Sequence, residues 1–214
     1  DKYKGWWFSI NEADIDNDGD MDLIAGNLGE NFKYKASKEF PFEVHYGDFD
    51  SNGNNDVVLS YYNYGKQYPL RGFSCSSQQI PEIANKFKEY DVFASLDLND
   101  IYGEQLNSVL NLKANEFSSM IFMNDGNGNY SPKELPYRAQ FSSVNDALTN
   151  DYNKDGIKDI GYVDASWGDE MGNKNIMKHK TVFIKTGDKY VERDINQYDF
   201  FFKDYLVILE KRFK

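Results

Sequence analysis

Short apolar runs rich in β-branched and aromatic residues recur along the chain, separated by polar, glycine-bearing loops. This pattern predicts strands rather than long amphipathic helices. The predicted strands are 5–10, 21–26, 43–47, 57–63, 118–123, 144–149, 160–164, 181–185 and 190–193. The stretch Asn124-Asp125-Gly126-Asn127-Gly128-Asn129-Tyr130 reads as a hairpin turn, and Thr186-Gly187-Asp188 repeats that signature. The fold class is therefore all-β.

One region departs from the pattern. Residues 78–88 place Ile80, Ile83, Ala84 and Phe87 at helical spacing, with Pro81 near the first turn. Shorter helices are expected from Asp97 towards Leu112. A mainly helical insertion is predicted over 65–113, within a repeated segment covering 1–214. An insertion of this kind either carries function or caps the scaffold.

The loops between the strands carry the chemistry. One acidic sequence is written three times: Asp14-Ile15-Asp16-Asn17-Asp18-Gly19-Asp20-Met21-Asp22, Asp48-Phe49-Asp50-Ser51-Asn52-Gly53-Asn54-Asn55-Asp56, and Asp151-Tyr152-Asn153-Lys154-Asp155-Gly156-Ile157-Lys158-Asp159. Oxygen-bearing side chains occupy loop positions 1, 3, 5 and 9, with glycine at position 6. Alternate side chains can then converge on a hard cation of six to eight oxygen ligands while the glycine makes the turn. The predicted ligands are Asp14, Asp16, Asp18, Asp22 and the Asp20 carbonyl in the first loop. In the second they are Asp48, Asp50, Asn52, Asp56 and the Asn54 carbonyl. In the third they are Asp151, Asn153, Asp155, Asp159 and the Ile157 carbonyl. About three structural Ca2+ sites are expected. Asp/Asn-Gly turns that bind nothing are the plainer alternative, but carboxylates packed this closely repel one another without a cation. An EF-hand is excluded, because its bidentate Glu at position 12 is replaced by Ala25, Leu59 and Tyr162.

The formal charge of -11 disfavours nucleic acid and anionic membranes as partners. Bound calcium would offset much of it. No apolar run is long enough for a transmembrane segment. The single cysteine, Cys75, rules out an intrachain disulfide, and a buried, inert thiol is expected there. Loops of modest calcium affinity fill outside the cytosol, so an exported protein is expected. The chain opens on Asp1, as a processed, trimmed or partial chain would. His45 and His179 lack ligand-spaced partners and read as strand or surface residues. Trp6 and Trp7 are expected to pack, as a pair on a strand, between neighbouring repeat units, with stacking on sugar rings the alternative, whereas Trp167 lies in a polar loop better suited to ligand contact.

These residues resemble the FG-GAP/VCBS repeats of secreted β-propellers, the group that includes the integrin α-subunit propeller. The resemblance rests on the acidic loops, on Asp22-Leu23-Ile24-Ala25-Gly26 after the first of them, and on the outer turn ending at Tyr130. The chain is similar to VCBS-repeat proteins of Bacteroidota associated with the ASPIC/UnbV domain. That likeness is carried by Gly5-Trp6-Trp7, Gly26-Asn27-Leu28-Gly29, Lys33-Tyr34-Lys35-Ala36, Tyr68-Pro69-Leu70-Arg71, Cys75-Ser76-Ser77-Gln78-Gln79-Ile80-Pro81 and 139–145. The resemblance implies a β-propeller of integrin-α-like blades displayed outside the cell or at an outer-membrane surface, often as a lipoprotein. A closed propeller takes four to eight blades; this chain supplies three or four, so a partial propeller is expected. The implied function is a non-catalytic binding or accessory module for protein or glycan at an exposed propeller face. A polysaccharide hydrolase or lyase is the alternative, as is a structural subunit of an outer-membrane complex.

Overall fold

The computed structural model describes residues 2–164, 180–186 and 189–194. Antiparallel β-structure dominates them. The strands are β1 (Ser9–Ala13), β2 (Asp22–Gly26), β3 (Phe42–Gly47), β4 (Asp56–Asn63), β5 (Lys66–Pro69), β6 (Leu110–Ala114), β7 (Met120–Asn124), β8 (Tyr130–Glu134), β9 (Val144–Asn150), β10 (Asp159–Asp164), β11 (Lys180–Thr186) and β12 (Lys189–Asp194). They form three four-stranded sheets, ordered β1-β2-β7-β8, β5-β4-β3-β6 and β9-β10-β11-β12. The chain divides into two compact units. An inserted unit comprises the described residues up to Trp6 together with 33–117, and a flanking unit comprises 7–32 and the described residues from Ser118 onward.

In the flanking unit each acidic loop joins the first two strands of a sheet. The first loop links β1 to β2, with Ala13 opposite Asp22, and the third links β9 to β10, with Asn150 opposite Asp159. The sheet β9-β10-β11-β12 is a simple meander. The other sheet is a meander interrupted after β2, whose next neighbour is β7. Both sheets contribute to one core of Ala13, Ile15, Ile24, Ile121, Val144, Ala147, Ile160, Tyr162 and Phe183. The Tyr162 and Phe183 rings stack there with centroids 5.3 Å apart.

A close approach explains Gly26. A Cβ at this position would collide with the Val144 carbonyl and the Ser9 hydroxyl, so only glycine lets the end of β2 run so near the start of β9. The chain beyond it is held by buried polar groups. Asn27 N–H donates to Ser119 Oγ at 2.9 Å, and the Asn27 carbonyl accepts from Val144 N–H at 3.0 Å. Gln140 Nε2 donates to the Ser119 and Leu135 carbonyls, and its Oε1 accepts from Ser119 N–H.

The inserted unit is built differently. Its acidic loop joins β3 to β4, but β6 returns to pair with the free edge of β3, so the loop hairpin occupies the middle of the sheet. Between β5 and β6 lie four short helices, α1 (Phe73–Gln79), α2 (Glu82–Lys86), α3 (Tyr90–Ser95) and α4 (Leu98–Tyr102), and a 3-10 turn at Gly103–Asn107. Their apolar side chains pack with Val58 of β4 and Phe49 of the loop, forming a second core of Ile80, Ile83, Phe93, Leu98, Ile101 and Tyr102. Asp97 caps α4 reciprocally with Asp100, as a capping box.

Two expectations are corrected. The helix over 78–88 is two helices, because Pro81 drives the preceding Ile80 into extended backbone, with φ -123° and ψ 91°. The span 65–113 is helical only from Phe73 to Asn107, since both flanks hydrogen-bond into the sheet as β5 and β6. Among the described residues, no helix is long and apolar enough to cross a membrane.

Candidate metal centres

The three acidic loops adopt the same hydrogen-bond frame. The position-1 carboxylate accepts from the backbone N–H of positions 5 and 6. These are Asp18 and Gly19 onto Asp14, at 3.1 and 3.2 Å; Asn52 and Gly53 onto Asp48, at 3.1 and 2.8 Å; and Asp155 and Gly156 onto Asp151, at 3.0 and 2.8 Å. The position-5 side chain accepts from the N–H of position 7, at 2.9 Å for Asp20, 2.8 Å for Asn54 and 2.8 Å for Ile157. Positions 4 and 6 are left-handed in every loop: Asn17 and Gly19, Ser51 and Gly53, Lys154 and Gly156. Glycine meets that demand at position 6 without strain.

The ninth position anchors each loop. Asp22 and Asp159 are 0 % exposed and Asp56 is 6 % exposed, so these carboxylates belong to the floor rather than the rim. One oxygen of each accepts the N–H of position 2, from Ile15 at 2.9 Å, Phe49 at 3.1 Å and Tyr152 at 3.0 Å. Those position-2 side chains are themselves buried, which nails the loop to the core beneath it. The second oxygen takes a donor from farther along the chain. Asn124 N–H supplies it to Asp22, and Lys185 N–H supplies it to Asp159, both at 2.8 Å. Asp56 instead receives the side-chain amide of Gln79, at 3.3 Å.

In two of the loops the frame gathers three carboxylates. One oxygen from each of Asp14, Asp16 and Asp18 lies within 4.8 Å of the others, and the same holds for Asp48, Asp50 and Asp56. In the third loop, position 3 is the amide Asn153, whose Oδ1 accepts from Asp155 N–H and whose Nδ2 donates to Asp155 Oδ2. The electrostatics reflect the crowding. Burial, followed by the carboxylates of Asp18 and Asp22, raises Asp16 above the usual carboxylate range. Burial also raises Asp159, against the lowering effect of the Lys185 and Tyr152 N–H groups. Tyr190 is pushed above the ordinary phenol range by burial and then by Asp22, Asp159 and Asp16. A divalent cation would relieve this repulsion while accepting hard oxygen ligands, so the donor set fits calcium.

Elsewhere, His45 lies buried on β3, with Nε2 3.5 Å from Glu43 Oε2 and 3.4 Å from Ser60 Oγ. Carboxylate and hydroxyl approach the same ring nitrogen, whereas a nucleophile–base–acid relay needs them on opposite ones. Glu43 is further engaged by Lys113 at 3.0 Å and Asn111 at 2.8 Å. Cys75 is exposed, correcting the buried thiol expected from sequence. Its neighbour Ser76 takes the inward face of α1, and successive helical residues point about 100° apart. The Trp6 ring contacts Phe42 at 5.8 Å, and the Trp7 ring contacts Phe122 at 6.0 Å. Trp167 and His179 lie outside the described residues.

Sequence reasoning missed two contributors to these centres. The apolar position 2 was visible in all three copies and could have been recognised as an anchor. Gln79 carried no local signal, because its role comes from the path of the helices. No protein-family model, curated protein or solved structure matches the chain.

Proposed function

We propose that the chain is a segment of an FG-GAP/VCBS-type β-propeller, stabilised by calcium and working outside the cell as a non-catalytic binding module for protein or glycan. The observation that carries the reading is the common frame of the three loops. Three separate segments spend backbone N–H groups and left-handed residues on one loop frame, and in the first two that frame brings three carboxylates together. Such an arrangement is costly in charge repulsion unless a cation occupies it. Three four-stranded antiparallel sheets, each with an acidic loop between two of its strands, support the blade reading.

A surface feature supports binding. In the inserted unit, Tyr46, Val57, Leu110 and Leu112 share one sheet face by register and are exposed. Clustered exposed apolar side chains mark interaction surfaces and ligand-binding grooves.

Calcium in this role is structural. For a site with an affinity near ~0.1 mM in ~2 mM calcium, binding adds about 2 kcal/mol of stability if the unfolded chain binds none. The test is a thermal melt in millimolar calcium and again in EDTA. The reading predicts a large fall in melting temperature on chelation, restored by calcium; identical melts would reject structural calcium.

A further inference from the structure

We infer that the first and third acidic loops bind their cations cooperatively, coupled through Asn17 and Lys185, whereas the second loop binds its cation independently. The inference rests on the calcium reading above and concerns how two of those sites communicate.

Two links join the loops within the flanking unit. In the first, Asn17 Nδ2 donates to the Gly156 carbonyl at 3.2 Å. Asn17 sits between Asp16 and Asp18, in a left-handed conformation set by the first loop. Gly156 is clamped through its own N–H to Asp151. Ordering Asp16 and Asp18 around an ion therefore fixes Asn17, which fixes Gly156 and with it Asp151. The second link runs through Lys185. Its backbone N–H holds Asp159 at 2.8 Å, and its Nζ donates to the Ile15 carbonyl at 2.9 Å. Ile15 N–H in turn holds Asp22. The two ninth-position carboxylates are thus joined by the chain Asp159, Lys185, Ile15, Asp22.

The sign of the coupling follows from conformational entropy. The first ion fixes backbone that the second would otherwise have to order, so the second binds more tightly. In the second loop Ser51 occupies the place of Asn17, and among the described residues the donors to Asp56 are Phe49 and Gln79 of its own unit. Lys185 has one opposing effect. Its ammonium is held at 2.9 Å on the carbonyl of Ile15, which sits beside the ligand Asp16 in the chain, and so competes with an ion in the first loop.

The test is a calorimetric calcium titration of the stripped chain. The expected isotherm shows three ions, two of them cooperative, with the second about fivefold tighter than the first. Asp50→Ala, which takes the position-3 ligand oxygen away altogether, removes the independent site and leaves the cooperative pair. Asn17→Gly keeps the left-handed backbone but removes the donor, so it retains three ions and weakens the coupling. Lys185→Met keeps the backbone N–H to Asp159; it also weakens the coupling but tightens the first loop, a split that general destabilisation would not produce. Ser51→Gly, the matching change in the second loop, leaves the coupling intact. Three independent sites in the unmodified chain, or cooperativity surviving in the N17G/K185M double variant, would overturn the inference and leave the calcium reading standing. Absence of binding at millimolar calcium would overturn both.

Discussion

Gln79 Nε2 donates to Asp56 Oδ1 at 3.3 Å and to the Val57 carbonyl at the same distance, so a helix-borne amide does the work that strand backbone does elsewhere. The equivalent oxygens of Asp22 and Asp159 are met by the N–H groups of Asn124 and Lys185. In the inserted unit the neighbouring strand β5 pairs with β4 only from Ser60 onward, so it offers no N–H to the second oxygen of Asp56. Helix α1 brings Gln79 to the vacant place. Gln79→Leu leaves a buried carboxylate oxygen without its donor and is expected to cost about 1–2 kcal/mol in a denaturant titration. It should also weaken one calcium site of the three.

Gly26 and Gly53 separate two reasons for glycine. Gly26→Ala drives a methyl into the Val144 carbonyl, a backbone atom that cannot yield without moving β9, and into the Ser9 hydroxyl, which must turn aside. A loss of about 3 kcal/mol is expected. Gly53 has open space around a would-be Cβ, and only its φ of +88° resists substitution. Gly53→Ala should cost about 1 kcal/mol. Equal costs in chemical denaturation would contradict the close approach at Gly26.

His45 sets a pH dependence. Burial lowers it from the ordinary value of 6.5, with Lys113 acting in the same direction and Glu43 opposing. Among the described residues its buried Nδ1 has no hydrogen-bond partner, so protonation would add an unsatisfied N–H. As pH falls below 6.5, the unfolded chain takes up a proton that the folded chain refuses. Stability is therefore flat above 6.5 and declines below it until the folded value is passed. His45→Gln should flatten that decline in denaturation midpoints measured between pH 7 and pH 5. An unchanged slope would show that His45 does not titrate in this environment.

The acidic loops were legible because ligand chemistry is local: nine consecutive residues contain both the oxygens and the glycine that turns them. Most strands were legible for the same reason. What escaped was set by distant partners. The return of β6 to β3 and the pairing of β2 with β7 depend on the path of the inserted unit, to which no periodicity points. Two phrases noted only for family likeness, 26–29 and 139–145, meet in space. Gly29, at φ +88°, runs against the Gln140 and Ser142 carbonyls, and Asn27 holds Val144. Their meaning is a contact across more than a hundred residues. Ile80 and Cys75 turn on more local features: the proline after Ile80 outweighs the helical face, and Cys75 falls on the outward face of α1, which an expectation of low reactivity does not reveal.

The most direct test of the central claim is a crystal structure of the chain grown in millimolar calcium, with the ions identified by anomalous scattering. The account predicts an ion in each acidic loop, with the side-chain oxygens of positions 1, 3, 5 and 9 and the carbonyls of Asp20, Asn54 and Ile157 at about 2.3–2.6 Å. Loops that keep this frame at full calcium and hold no ion would contradict it.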